Sequence, residues 1–80
     1  MELPARTRMS ESAVRNRIRE FRQQRTEFTQ AALATACGVT RQTIIALEAE
    51  RYSPSLELAF RLARALGRNL EEVFQFEEKK

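Results

Sequence analysis

The sequence predicts an all-α fold, a compact bundle of five helices. Three observations lead there: apolar residues recur at three- and four-residue spacing along most of the chain, polar N-cap candidates (Thr29, Thr40, Asn69) head the apolar segments, and both glycines, Gly38 and Gly67, stand where an apolar stripe stops. No strand and no internal repeat is expected. Eighty residues hold one small domain, near the lower limit at which a chain buries a core without metal or several disulfides, and a helical bundle is the economical solution.

Residues 1–13, with Pro4, Ser10 and Ser12 and no helical stripe, are expected to form a flexible N-terminal tail ahead of a domain spanning 14–80. Val14, Ile18 and Phe21 follow four-and-three spacing and predict a first helix reaching about Arg25. Thr29 caps a second helix, "QAALATAC", in which Leu33, Ala34 and Cys37 share a face and Gly38 supplies a left-handed stop. Thr40 caps a third, with Ile44 and Leu47 inward, fading by about Glu50. After the loop "RYSPS", Leu56, Ala59, Leu62, Ala63 and Leu66 make a fourth helix that ends at Gly67. "NLEE" reads as a capping box, Asn69 with Glu72, opening a short fifth helix with Leu70, Val73 and Phe74.

A net charge of +3 favours a polyanionic partner, and Arg6, Arg8, Arg15, Arg17, Arg19, Arg22 and Arg25 crowd the first third of the chain. With a single cysteine no intramolecular disulfide can form, and Cys37 reads as a small apolar core residue. With no histidine the common metal and acid–base sets are missing, so no metal, cofactor or small-molecule ligand is expected. No nucleophile–base pair or glycine-rich phosphate loop points to an enzyme. Neither a signal-peptide core nor a run of about 18 apolar residues is present, which predicts a soluble, cytoplasmic protein without a membrane span.

Only three residues, Gly38 to Thr40, separate the second and third helices. A short helix, a tight glycine turn and a second short helix form the unit that presents its second helix to the DNA major groove. The stretch "QAALATACGVTRQTIIALE", Gln30 to Glu48, resembles the Cro and lambda-repressor family of bacterial and phage regulators: Ala34 lets the helices cross closely, Gly38 makes the turn, and Val39, Ile44 and Leu47 fill the space beneath. The resemblance covers roughly Ile18 to Glu78 and looks most like short single-domain members. It implies a lambda-repressor-like DNA-binding fold.

Three departures stand out, one being Ile45, at a site often polar in the family, which implies an altered base preference. Between the first two helices, where such proteins usually have a glycine and a leucine, this chain reads "RTEF", with Phe28 in the leucine's place. After the third helix the family commonly places a glycine where Glu50 stands, so that helix either runs on or ends in a left-handed residue.

About 100° per residue, measured from Ile44 and Leu47, sets Gln42, Ala46 and Ala49 on the outward face of the third helix with Ile45 beside them. Gln42 can pair with adenine; Ile45, Ala46 and Ala49 can meet thymine methyls; Arg41 can reach a guanine or a phosphate, and Thr40 and Thr43 flank the same entry. Thr29 and Gln30, at the amide-rich start of the second helix, form a phosphate seat, and Arg51, Tyr52 and Ser53 either clamp a second phosphate or pack the loop.

The resemblance further implies that Arg22 reaches Glu48 and braces the third helix against the first. The expected function is a sequence-specific regulator of transcription, a repressor, acting as a homodimer on a double-stranded DNA operator. Leu70, Val73, Phe74 and Phe76 are the candidate dimer surface, with core packing the competing role for Leu70 and Phe74. The rival reading is an antitoxin or protein-interaction module in which residues 1–13 hold a partner and the helices serve autoregulation.

Overall fold

The computed structural model describes residues 13–77, so most of the expected tail, with Arg6 and Arg8, lies outside the described residues, as does the partner-binding role given to that tail. In chain order the elements are β1 (Val14–Asn16), α1 (Ile18–Gln23), α2 (Gln30–Cys37), α3 (Arg41–Glu48), α4 (Leu56–Leu66), α5 (Leu70–Val73) and β2 (Phe74–Phe76). All five expected helices form, but the all-α expectation needs correction. β1 and β2 pair antiparallel, with Val14 opposite Phe76, Arg15 opposite Gln75 and Asn16 opposite Phe74. Val14 is therefore a strand residue, and the first helix begins only at Ile18. Three-residue strands are too short for a period of two to show in sequence, and each takes its ladder from a segment far away in the chain.

Each helix end has a local cause. Asn16 Oδ1 accepts the Ile18 amide at 3.1 Å and so opens α1 from outside it. Thr29, Thr40 and Ser55 accept the Ala32, Thr43 and Leu58 amides at 3.0, 3.3 and 3.1 Å, which satisfies one orphan donor on each of α2, α3 and α4. In α5 the Glu72 carboxylate accepts the Asn69 amide at 2.8 Å. At the other end, Gly38 has φ 74° and its amide and that of Val39 return to Thr35 and Ala34, a Schellman closure that lets α3 start three residues later.

The core consists of Ile18 and Phe21 from α1, Leu33, Ala34 and Cys37 from α2, Ile44 and Leu47 from α3, Leu62, Ala63 and Leu66 from α4 and Val73 from α5. α2 packs on both α3 and α4, while α1 and α5 pack on α4. Phe28 is half-buried against this core, the place expected of it, and the turn before it closes without glycine through backbone hydrogen bonds in which the Arg25 amide donates to the Arg22 carbonyl and the Phe28 amide to the Arg25 carbonyl. The Arg17 and Arg68 guanidiniums stand 4.6 and 4.4 Å from the Phe21 ring centroid, and Arg25 stands 4.8 Å from that of Phe28. Part of the N-terminal arginine cluster, Arg17 and Arg25, thus lies over aromatic ring faces at the margin of the core. Leu56, expected inward, is 67% exposed, because the buried stripe of α4 starts at Ala59. Among the described residues no helix is long and apolar enough to cross a membrane.

Candidate nucleic-acid interface

α3 is turned as its apolar pair requires. Ile44 and Leu47 are fully enclosed, Arg41, Gln42 and Ala49 are exposed, and Thr43, Ile45 and Ala46 are half-buried along the flanks. Gln42 and Ala49 therefore crown an outward face on which no side chain longer than isoleucine stands beside Gln42 except Arg41. Such a face is smooth enough to lie in a groove, with one amide and one guanidinium projecting from its first turn.

Three neighbours hold the C-terminal end of α3 in place. The Glu48 side chain is 0% exposed; Arg22 Nε lies 2.7 Å from its Oε2 and Arg22 Nη2 3.3 Å from its Oε1. Gln30 donates to the same carboxylate at 3.1 Å, and Arg19 approaches it at 3.5 Å. Burial pushes the Glu48 carboxyl up, but the hydrogen bonds from Arg22 and Gln30, the Arg22 charge and the Arg19 contact outweigh it, so its pKa is held below the ordinary value. Arg22 meets Glu48 as the resemblance implies, across a turn that lacks the family's glycine.

The third neighbour is β1, which sequence reasoning missed. Asn16 Nδ2 donates to the Leu47 carbonyl at 2.7 Å, and the Asn16 amide donates to Glu50 Oε2 at 3.0 Å. Glu50 has φ 59°, the only non-glycine residue with positive φ among those described, and the Glu50 and Arg51 amides return to Leu47 and Ala46. This is the same Schellman closure that Gly38 makes for α2, here with a side chain in the left-handed position. Its carboxylate, also 3.7 Å from Arg15, offsets that strain by tying the strand to the end of α3. The only signal in the sequence was a glutamate at the position where the family resemblance leads one to expect glycine.

The remaining expected contact residues divide. Thr29 is exposed at the start of α2 but its hydroxyl is spent on capping; Gln30 is half-buried and its amide faces Glu48. Thr40 likewise caps α3 and shares a 3.1 Å hydrogen bond with Thr43. Arg51 and Ser53 are exposed, whereas Tyr52 is half-buried against the core. The candidate dimer surface needs correction: Val73 is fully enclosed in the core and cannot meet a partner, and Leu70 and Phe74 pack against that core, leaving Phe76, 70% exposed on β2. The burial follows from α5 being a single turn laid on α4, with its one inward position at Val73.

Comparison with known proteins agrees with this arrangement. Residues 18–73 match a family model described as helix-turn-helix. Over 66 residues the chain is 58% identical to an HTH-type transcriptional regulator of Methanothermobacter thermautotrophicus, an alignment covering 81% of this chain and 94% of that one. It is 45% identical over 65 residues to one from Archaeoglobus fulgidus, covering 81% and 90%, and 40% identical over 65 residues to one from Bacillus subtilis, covering 81% and 97%.

Proposed function

The chain belongs to the helix-turn-helix family of transcriptional regulators, and from that premise we propose that residues 14–80 bind a specific double-stranded DNA operator as a homodimer and repress by occupying it. The observation that carries this reading is the exposed row on α3, Gln42 and Ala49 with Ile45 and Ala46 beside them, on a helix held from α1, α2 and β1 at its far end. A helix that reads base edges has to be rigid, since a misplaced amide loses its bidentate geometry.

In this reading Gln42 pairs with an adenine, Ile45, Ala46 and Ala49 lie against thymine methyls, and Arg41 reaches a guanine or phosphate. Thr29, Thr40, Arg51 and Ser53, which are exposed, and the half-buried Thr43 border the groove, where hydroxyls and a guanidinium suit phosphates. Gln30 works mainly by orienting Glu48, and Tyr52 by packing beneath its loop. One module of this size contacts few base pairs, so two copies on half-sites about 34–36 Å apart supply the missing specificity.

Binding-site selection from random DNA should yield a two-fold symmetric site. Gln42→Ala should then relax selectivity at one base pair per half-site at a cost of about 1–3 kcal/mol while leaving random-DNA binding nearly unchanged. Equal weakening of specific and random binding would remove Gln42 from base reading.

A further inference from the structure

α4 carries two large apolar side chains that its own domain does not use. Its buried face is Ala59, Leu62, Ala63 and Leu66, while Leu56 is 67% and Phe60 49% exposed. Leu56, Phe60 and Arg64 follow one another at four-residue spacing, so they form a single stripe about a quarter-turn from the buried one, with Glu57 along its edge. Together with Arg61 they line an open surface groove.

We propose that this stripe is the homodimer interface, with α4 packing antiparallel on α4 of a second copy and the two-fold axis passing beside Phe60. The pattern is self-complementary. In an antiparallel pair centred there, Phe60 meets the partner's Phe60, and Leu56 and Glu57, on the N-terminal side, meet the partner's Arg64, on the C-terminal side. The Arg64 side chain has no hydrogen bond or ion pair among the described residues, so it is available, whereas Arg61 is held by Glu57 at 2.6 Å and by the Cys37 carbonyl at 3.3 Å. The Glu57 side chain is 75% exposed and keeps room for a second guanidinium.

A partner of one charge sign would leave either Glu57 or Arg64 facing a like charge. A second copy satisfies both at once and also sets the two helix dipoles antiparallel. Among the described residues the competing C-terminal surface offers only Phe76 as an exposed large apolar side chain, since Val73 is enclosed and Leu70 and Phe74 pack inward. This assignment rests on the homodimeric reading above, and it places the axis on the helix that follows α3 directly, so the two α3 helices are fixed relative to one another through a single short loop.

The experiment is sedimentation equilibrium of the full chain without DNA across a concentration series, with native mass spectrometry of mixtures. The wild-type chain should dimerise. Phe60→Glu should raise the dimer dissociation constant by at least about tenfold, while circular dichroism and the melting temperature report a folded monomer. Glu57→Arg and Arg64→Glu should each weaken self-association, and an equimolar mixture of those two variants should form the heterodimer, because both cross-axis pairs are then opposite in sign. A wild-type monomer at every concentration, a dimer unmoved by Phe60→Glu, or one lost instead on Phe76→Glu would overturn the assignment. DNA reading is tested apart from it. The Phe60→Glu variant should still bind a single half-site with the preference that Gln42 confers; loss of that preference would sink base reading and leave the interface result standing.

Discussion

Glu48 places a carboxylate where no side-chain surface reaches water, so its stability rests on its partners. Removing one partner strands the other: Arg22→Met leaves a buried carboxylate, and Glu48→Gln leaves a guanidinium that is still 13% exposed. Breaking such a pair costs on the order of 3 kcal/mol, against less than about 1 for an exposed one. For a domain of this size that corresponds to a fall in Tm of about 10 °C or more, larger for Arg22→Met than for Glu48→Gln. The double variant should recover part of the loss, since no charge is then uncompensated; strictly additive losses would show that the two do not interact. Because the folded-state pKa of Glu48 is depressed, its contribution is present above the ordinary value of 4.5 and is lost as pH falls below it. Tm measured against pH should therefore show the gap between wild type and Glu48→Gln widest near neutrality and closing in acid. Arg22 and Glu48 were legible in the sequence through the family resemblance; the Gln30 and Arg19 contacts to the same carboxylate were not, because they depend on how α1 and α2 converge on the end of α3.

At the scale of elements, three helices end in one closure, with Gly38, Gly67 and Glu50 all at positive φ. A side chain in that region costs roughly 1–2 kcal/mol relative to glycine, and at Glu50 the carboxylate offsets this by accepting the Asn16 amide and facing Arg15. Two variants separate the contributions. Glu50→Ala loses the carboxylate and keeps the strain, whereas Glu50→Gly loses the carboxylate and relieves the strain as well, so chemical denaturation should find the glycine variant about 1 kcal/mol more stable than the alanine one. Equal stabilities would mean the left-handed residue carries no strain. Gly38 and Gly67 were readable as helix stops because glycine at the end of an apolar stripe has few other meanings; the strand pair was unreadable because "VRN" and "FQF" carry no period of their own.

At the scale of the whole molecule, a surplus of positive charge is distributed between two uses. Arg17, Arg22, Arg25 and Arg68 cover the core or complete internal ion pairs, whereas Arg41, the first residue of α3, and Arg51, just past its end, are exposed, and on the proposed reading it is these two that meet phosphates. Arg51→Ala should weaken binding to all DNA sequences alike and reduce the salt dependence by about one ion per site, since a phosphate contact acts mainly through counterion release. Titrations on operator and random DNA at several salt concentrations measure it, and an unchanged slope would take Arg51 out of the interface.

What the sequence determined by itself was what acts within a few residues: the five helices, the Thr29 and Thr40 caps, the left-handed Gly38, and the outward Gln42 and Ala49, all of which follow from spacing and local hydrogen bonding, whereas Ala46, expected outward with them, is half-buried on the flank. Tertiary structure decided what needed distant partners. It converted Val14 from helix to strand by offering Phe76 as its neighbour, gave Asn16 and Glu50 the task of closing α3, and took Val73 into the core while leaving Leu56 and Phe60 outside. A helical stripe specifies which residues share a face, but which of two adjacent apolar stripes is buried depends on where the other helices already stand. On α4 the stripe of Ala59, Leu62, Ala63 and Leu66 is buried, and Leu56 and Phe60 are left on the surface.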